Sequence, residues 1–514
     1  MLIDLEQEPA GKTYTSQVCV LGAGIAGLVL AHRLAARGLK VHLLEAGGLE
    51  LEERSQRLYE AEMAGDRHAG ASEGRFRVFG GSSTRWGGQL LPYTEEIFSP
   101  GAGMRSWPWP IGAEAIERYY GEVMEIMGVD GLPFSAELLE KLGHTAVRFG
   151  DEVRLRFSKW APFGRRNLAK SLGQECVEST DVTVFTHANV MALEAAGGLV
   201  GSVVAKNYVG GSFTFRAEQF VVCLGTIESS RLLLASRIGN DFDQVGRYFH
   251  DHVSVRVAAI EGEARAQVLE RLGPFFVAGT LHTCKLEASS LLREKEGLLA
   301  VMAHVVIEEP EDSGAAAVRG VLQALQRGDW KAAGKNLGPR VRGMGDVARL
   351  VWGSRVRKRR AVSARAKVWL NVDMEQVAGA EDRIRLSDAR DALGQRKAVV
   401  DWRVGGAERE VAKRYAGMVR AELEGVGIAG LEWFEDGAMM DTFHPMGGVR
   451  MGVDARESVV DAELRVHGME NLYVAGCGVF PSGGSSNPTF TMMALVLRLG
   501  DWLVGTSKLK GANG

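Results

Sequence analysis

No stretch of this sequence approaches the roughly 18 consecutive apolar residues that a membrane-spanning helix needs. A helical membrane protein is therefore not expected. Cysteine is scarce too: Cys19, Cys176, Cys223, Cys284 and Cys477 are scattered, odd in number and never spaced as C-x-x-C. That pattern argues against a zinc site or a disulfide framework and for reduced thiols. Neither sign of charge is in excess. Lys and Arg number 61, Asp and Glu 64, for a net charge of -3. Such a balance exerts no global pull on nucleic acid or acidic lipid, so no nucleic-acid partner is expected. The first residues, MLIDLEQEPAGK, are acidic and lack the apolar core of a signal peptide, which makes the cytoplasm the expected location. Internal repeats and long low-complexity tracts are lacking as well.

Glycine, by contrast, is abundant: 65 of 514 residues, well above the ordinary usage of about 7%. Much of the excess sits in loops of the kind that let a backbone approach a ligand closely. The length exceeds what one hydrophobic core ordinarily supports, so two domains are expected. Hydrophobic residues at 46% and charged residues at 24% are the usual mix of a soluble globular chain.

The amino-terminal part reads as a complete βαβ unit. An apolar strand, 18–21, runs into Gly22-Ala-Gly24-Ile-Ala-Gly27 and a helix reaching about Arg37. Gly38 ends the helix, and a second strand, 41–44, closes on Glu45. In this context G-x-G-x-x-G is a dinucleotide fingerprint. Gly22 makes the tight turn, Gly24 admits the pyrophosphate, and Gly27 lets helix and strand pack closely. The phosphates then meet a helix N-terminus, where free N–H groups and the dipole favour anions. Glu45 is placed to accept from the ribose hydroxyls and would repel a 2′-phosphate, which disfavours NADP. The motif alone does not separate FAD from NAD. Further along, a strand pair spans 182–194 and 201–207, a buried strand 220–224 and a helix 229–236. Residues 310–365 read as helical with a basic end. A strand at 471–475, a Gly-rich loop and a helix from Pro488 to about Leu503 complete the pattern.

Four further segments carry more. Residues 78–90 read Val-Phe-Gly-Gly-Ser-Ser-Thr-Arg-Trp-Gly-Gly-Gln-Leu, and 221–233 read Val-Val-Cys-Leu-Gly-Thr-Ile-Glu-Ser-Ser-Arg-Leu-Leu. Residues 444–452 read His-Pro-Met-Gly-Gly-Val-Arg-Met-Gly, and 471–488 run from Asn-Leu-Tyr-Val-Ala to Ser-Ser-Asn-Pro. With the amino-terminal unit, and in this order, they resemble the glucose–methanol–choline (GMC) oxidoreductases, closest to the sugar-oxidising, pyranose oxidase-like branch. The stretch from Asn371 to Gln376 with a strand near 399–402 also resembles that family's substrate domain.

The resemblance implies an α/β fold: a Rossmann-like FAD-binding domain with an inserted α+β substrate domain on an antiparallel sheet. The FAD domain would comprise 1–95, 180–250 and 440–514. The substrate domain would comprise 96–179 and 251–439, with a helical, partly basic insertion at about 310–365. It further implies that Gly80, Gly81 and Ser83 lie along the flavin, that Val190 meets the adenine through its backbone, and that Gly225 lies near the pyrophosphate. Gly476 and Pro488 would also border the cofactor. Two departures stand out. Some members attach FAD through a His where this chain has Arg85, and a guanidinium is no nucleophile for that bond, so the FAD is expected to be noncovalent. The strand ending Ala475-Gly476-Cys477 also lacks the Asp often found there.

Alcohol oxidation removes a proton from O–H and a hydride from C–H, so a base is needed beside the flavin. Histidine suits that task. By the resemblance His444 is the base and Asn487 its partner on the substrate oxygen. Asn487 also precedes Pro488, so helix capping is a second role for it. The alternation His250, Asp251, His252 lacks a further ligand set; no metal site is expected, and the resemblance makes it a structural lead into the substrate domain. Residues 355–360, with Trp352 nearby, are basic enough for peripheral membrane or partner contact, though a solvated helix end is the plainer reading. Trp107, Trp109 and Tyr119 suit either sugar stacking or core packing. The expected partner is a small-molecule alcohol, first a carbohydrate with a secondary hydroxyl, then a sterol or other apolar alcohol. A flavin-binding electron-transfer protein without alcohol turnover is the alternative class. The electron acceptor (O2, quinone or redox protein) is left open.

Overall fold

The computed structural model describes every residue except 102, 103, 105, 144–148, 330, 332–352, 354–357, 513 and 514. Its first sheet takes strands from widely separated parts of the chain. Their order is Leu2–Asp4, Val182–Thr186, Val41–Leu44, Thr13–Leu21, Ser212–Val222, Leu199–Lys206 and Asn189–Ala196. The first five run parallel, and the last two fold back antiparallel. Strand Leu472–Val474 adds in parallel beside the C-terminal end of Ser212–Val222. The central strands are apolar on both faces, as a parallel sheet covered on both sides requires. Helix Ile25–Ala35 covers one face, wedged between helix Leu172–Glu178 and the 25-residue helix Pro488–Ala512.

The second sheet is antiparallel, in the order Glu432–Trp433, His252–Ala259, Lys367–Glu375, Val301–Glu308, Thr280–Ala288, Val153–Trp160 and Gln89–Leu90. It has its own hydrophobic core, closed by helix Gly406–Gly425 through Val411, Tyr415, Val419 and Leu423. A small third sheet joins Arg383–Arg390 and Arg396–Trp402 to Ala61–Gly65, which pairs in parallel with the middle strand. A Rossmann-type unit and a separate antiparallel sheet are thus both present.

Several boundaries differ from the sequence reading. The first strand begins at Thr13, because its outer half pairs with residues 214–217 although it is not uniformly apolar. The expected strand 182–194 is two strands. His187, at φ 53°, turns the chain, and its ring is held by Asp4 at 2.7 Å. Helix Leu172–Glu178 packs on the dinucleotide side although it falls in the segment assigned to substrate binding. Of residues 310–365, helix Gly314–Arg327 is described, with Ser313 capping it at Ala316 N. The basic residues 355–357 and Trp352 lie outside the described residues.

Candidate active site

A cavity of about 760 Å3 runs from the glycine turn of the first sheet to the strands of the second. Its nucleotide end is built by close backbone approach. Gly22 sits at φ 104°, and a Cβ there would lie 2.6 Å from the Cys223 carbonyl oxygen. A Cβ on Gly27 would lie 1.8 Å from the Gly22 oxygen, so helix Ile25–Ala35 can seat only on glycine. Gly24, Gly225 and Gly476 line the cavity, and a Cβ on any of them would meet open space rather than protein. Those glycines make a cradle that fits a dinucleotide. Glu45 also lines it. Its carboxylate accepts from Ala23 N (3.1 Å) and Gly47 N (2.9 Å), tying the second strand to the turn. Burial pushes the Glu45 pKa up, partly offset by these bonds.

Gly81 lines the cavity, and the loop that carries it rests on the glycine turn through Gly80 N donating to the Ala23 oxygen at 2.9 Å. Gly80, Ser83, Gly27 and Val190 are not at the cavity wall. Ser83 Oγ donates to the Gly80 oxygen (2.6 Å) and accepts from Leu168 N (3.1 Å), so it braces the loop from behind. The Val190 carbonyl accepts from Gln395 Nε2 at 3.3 Å. Unforeseen from the sequence is an ion cluster at this end. Glu228 lies between Arg75 (3.3 Å) and Arg77 (3.2 Å), and both guanidinium groups cover the Tyr59 ring. Burial would raise the Glu228 pKa, but Arg77, Arg231 and Arg75 together hold it down. The Arg-Phe-Arg run just before Val78 was the available signal.

At the other end stands His444. Its Nδ1 lies 2.8 Å from Thr442 Oγ1, and that hydroxyl donates to Asp251 Oδ1 at 3.0 Å. With its single proton committed to a carboxylate, Thr442 can only accept from His444. The same Nδ1 lies 3.2 Å from Nδ1 of His252. His252 Nε2 faces the Gly483 carbonyl at 2.9 Å, and a carbonyl only accepts. His252 therefore carries a proton on Nε2 and turns its Nδ1 to the Nδ1–H of His444. Both neighbours thus fix the proton of His444 on Nδ1 and leave Nε2 as a lone pair. That lone pair faces Asn487, whose amide nitrogen lies 3.3 Å away, both residues lining the cavity. Burial, then His252, pushes the His444 pKa down to about 4, so it is a neutral base near neutrality.

The support continues inward. Asp251 Oδ2 accepts from His444 N at 2.8 Å and lies 3.2 Å from His68 Nε2, both side chains fully buried. Asp441, on the far side of His68, accepts from Ala69 N and Gly70 N. Burial would raise the Asp251 pKa, but His68, then His444 and His252, together hold it below its ordinary value. The segment read as a structural lead therefore orients the candidate base. The alternation His250, Asp251, His252 was visible; that it would face His444 was not, since 192 residues separate His252 from His444.

Asn487 and Pro488 open the last helix at the cavity wall, with Thr489 and Met492 one turn in. Arg85 lines the cavity with its guanidinium over the Phe76 ring. Trp107, Trp109 and Tyr119 do not. Trp109 is buried against Phe98 and Phe480, and Tyr119 donates to Asp501 Oδ2, which favours packing for both. The five cysteines are all free. Among the described residues no helix is long and apolar enough to cross a membrane.

Residues 378–495 match the family model of the GMC oxidoreductase C-terminal domain, and residues 20–48 match that of an NAD(P)-binding Rossmann-like domain. The large subunit of a fructose dehydrogenase from Gluconobacter japonicus is 23% identical over 97% of this chain and 99% of its own length. A paromamine 6′-oxidase from Streptomyces fradiae is 24% identical over 94% of this chain and 90% of its own. Among solved structures, a pyridoxine 4-oxidase from Mesorbium loti superposes with a TM-score of 0.55 at 17% identity, over 95% of this chain and 99% of that one. The C-terminal match contains both His444 and Asn487, the Rossmann match contains the glycine turn, and the chain carries a GMC oxidoreductase C-terminal domain behind a Rossmann-like unit.

Proposed function

We propose that this enzyme binds FAD without a covalent bond and oxidises an alcohol carbon, a secondary hydroxyl of a sugar or glycoside, with His444 as the base. The glycine turn, Glu45, Gly81, Gly225, Gly476 and Pro488 would hold the cofactor. FAD bound there supplies a hydride acceptor at N5. The protein's own part is to bind the alcohol, strip water from it and take its proton. One observation carries the reading: His444 keeps its Nδ1 proton fixed by Thr442 and His252, leaving the Nε2 lone pair beside the Asn487 amide. A hydroxyl seated beside both can donate to Nε2 while accepting from Asn487. As the proton moves to Nε2, Asn487 stabilises the charge growing on oxygen, and Asp251 lies two bonds away to stabilise the imidazolium. The N-terminus of helix Pro488–Ala512 adds a positive potential at the same point. The sugar assignment is supported by the two full-length relatives, a fructose dehydrogenase and a paromamine oxidase.

The test is anaerobic stopped-flow bleaching of the purified yellow enzyme against sugars, glycosides and sterols. Loss of a general base costs about 10² to 10⁴ in rate. His444→Ala should show that loss with flavin content unchanged, and bleaching at the wild-type rate would end the mechanism. Acid denaturation should release the flavin into the supernatant; colour left in the pellet would refute noncovalent binding.

A further inference from the structure

The wall opposite the glycine cradle is made by three neighbouring strands, and it carries charge. Lys285 on Thr280–Ala288 pairs in register with His304 on Val301–Glu308, and Met302 on that strand pairs with Asp373 on Lys367–Glu375. Side chains two apart on a strand share a face. Lys285, Met302, His304 and Asp373 therefore point the same way, and all four line the cavity.

Lys285 is the unusual member. It is 3% exposed, yet its ammonium has no hydrogen bond or ion pair among the described residues. The other buried lysine of this sheet, Lys159, shows what protein does with such a group: its Nζ donates to the Asp130 and Leu132 carbonyls and pairs with Asp130 Oδ1. A buried cation without partners is costly unless something else supplies them. Asp373 accepts from His304 Nε2 at 2.7 Å and retains 19% exposure of its side chain. A carboxylate oxygen holds more than one acceptor site, so capacity remains.

We infer that Lys285 and Asp373 form a donor–acceptor pair that recognises hydroxyl groups of an uncharged polyol held against His444. This rests on the alcohol-oxidase reading above and names its substrate class from the opposite wall. Three alternatives are less well served. An apolar alcohol such as a sterol would leave the Lys285 ammonium buried without a partner. A sugar acid would suit Lys285 but lie against Asp373, and an amino sugar would suit Asp373 but lie against Lys285. A hydroxyl is both donor and acceptor, and vicinal hydroxyls can accept from one member and donate to the other. Burial pushes the Lys285 pKa down to about 8, opposed by Asp373, so the donor remains protonated near neutrality. Burial would raise the Asp373 pKa, but His304 first and then Lys285 hold it well below the usual carboxylate range, so the acceptor is ionised.

The experiment compares wild type, Lys285→Met and Asp373→Asn as flavin-loaded enzymes. Substrates are neutral sugars, the matching uronic acids and amino sugars, and sterols. A hydrogen bond to a charged group is worth a factor of about 10 to 150 in binding, so each variant should raise KM for neutral sugars by that order, with kcat changed less. Flavin content should stay at the wild-type level. A second readout avoids turnover: calorimetric titration of the same sugar into His444→Ala should give binding that Lys285→Met abolishes in the double variant. Uronic acids, amino sugars and sterols should all be poorer substrates than the neutral parent. Unchanged KM in both variants overturns the inference, and so does preference for a uronic acid, an amino sugar or a sterol. In those cases alcohol oxidation by His444 still stands. A wild type whose flavin no alcohol reduces overturns the oxidase reading itself, and the inference with it.

Discussion

At the scale of single residues, the His444 site separates into parts that can be removed one at a time. Thr442→Val deletes one of two acceptors for the Nδ1 proton and the link to Asp251. His252 remains as the second acceptor, so we expect partial loss, about 10- to 100-fold in flavin reduction, typical of a group that orients a functional histidine. Asn487→Asp keeps a helix cap but sets a negative charge beside the reacting oxygen. Slow reduction follows if Asn487 touches substrate, and an unaltered rate if it only caps. Both variants are read by stopped-flow bleaching. The sequence made His444 and Asn487 legible because short Gly-rich segments surround them. It did not make Thr442, Asp251 or His252 legible as one unit, because their link passes between the start of the strand at 252–259 and the loop at 442–444, far apart in the chain. Lys285 and Asp373 were illegible for a related reason: each sits on an ordinary-looking strand, and only the antiparallel register brings them to one wall.

At the scale of elements, the glycine turn offers a contrast between folding and binding. A side chain at Gly27 collides with the Gly22 carbonyl, whereas a side chain at Gly24 projects into the cavity. Gly27→Val should therefore fail to fold, because helix Ile25–Ala35 cannot seat on its strand. Gly24→Val should fold but purify colourless, as the branched side chain occupies the cradle. Absorbance of the flavin relative to protein, together with a thermal melt, checks both; a yellow Gly24→Val protein would show that the cofactor binds elsewhere. The strand–turn–helix unit was legible because its hydrophobic period changes at the glycines. The third sheet was not. Strand Ala61–Gly65 is only partly buried and has no alternating pattern, and it exists because Arg396–Trp402 offers it a partner more than three hundred residues away.

At the scale of the whole molecule, buried neutral histidines set the response to acid. Burial pushes His42, His250 and His444 down to about 4. In the unfolded chain each would titrate near its ordinary value of about 6.5. Between those values the unfolded chain binds more protons than the folded one, so stability falls as pH drops from about 6.5 towards 4 and levels off below that. The slope is at most about 1.4 kcal/mol per pH unit for each histidine. Urea denaturation midpoints at pH 7, 6 and 5 should decline in that order, and a flat series would contradict the burial of these rings. The discontinuous first sheet has a different consequence, in the timing of synthesis. Its strand Leu472–Val474 and the helix from Pro488 are synthesised hundreds of residues after Ile25–Ala35, yet that helix packs on Ile25–Ala35. The nucleotide cradle therefore stays unfinished until the segments from Leu472 onward have been made, and cofactor loading can only follow their synthesis.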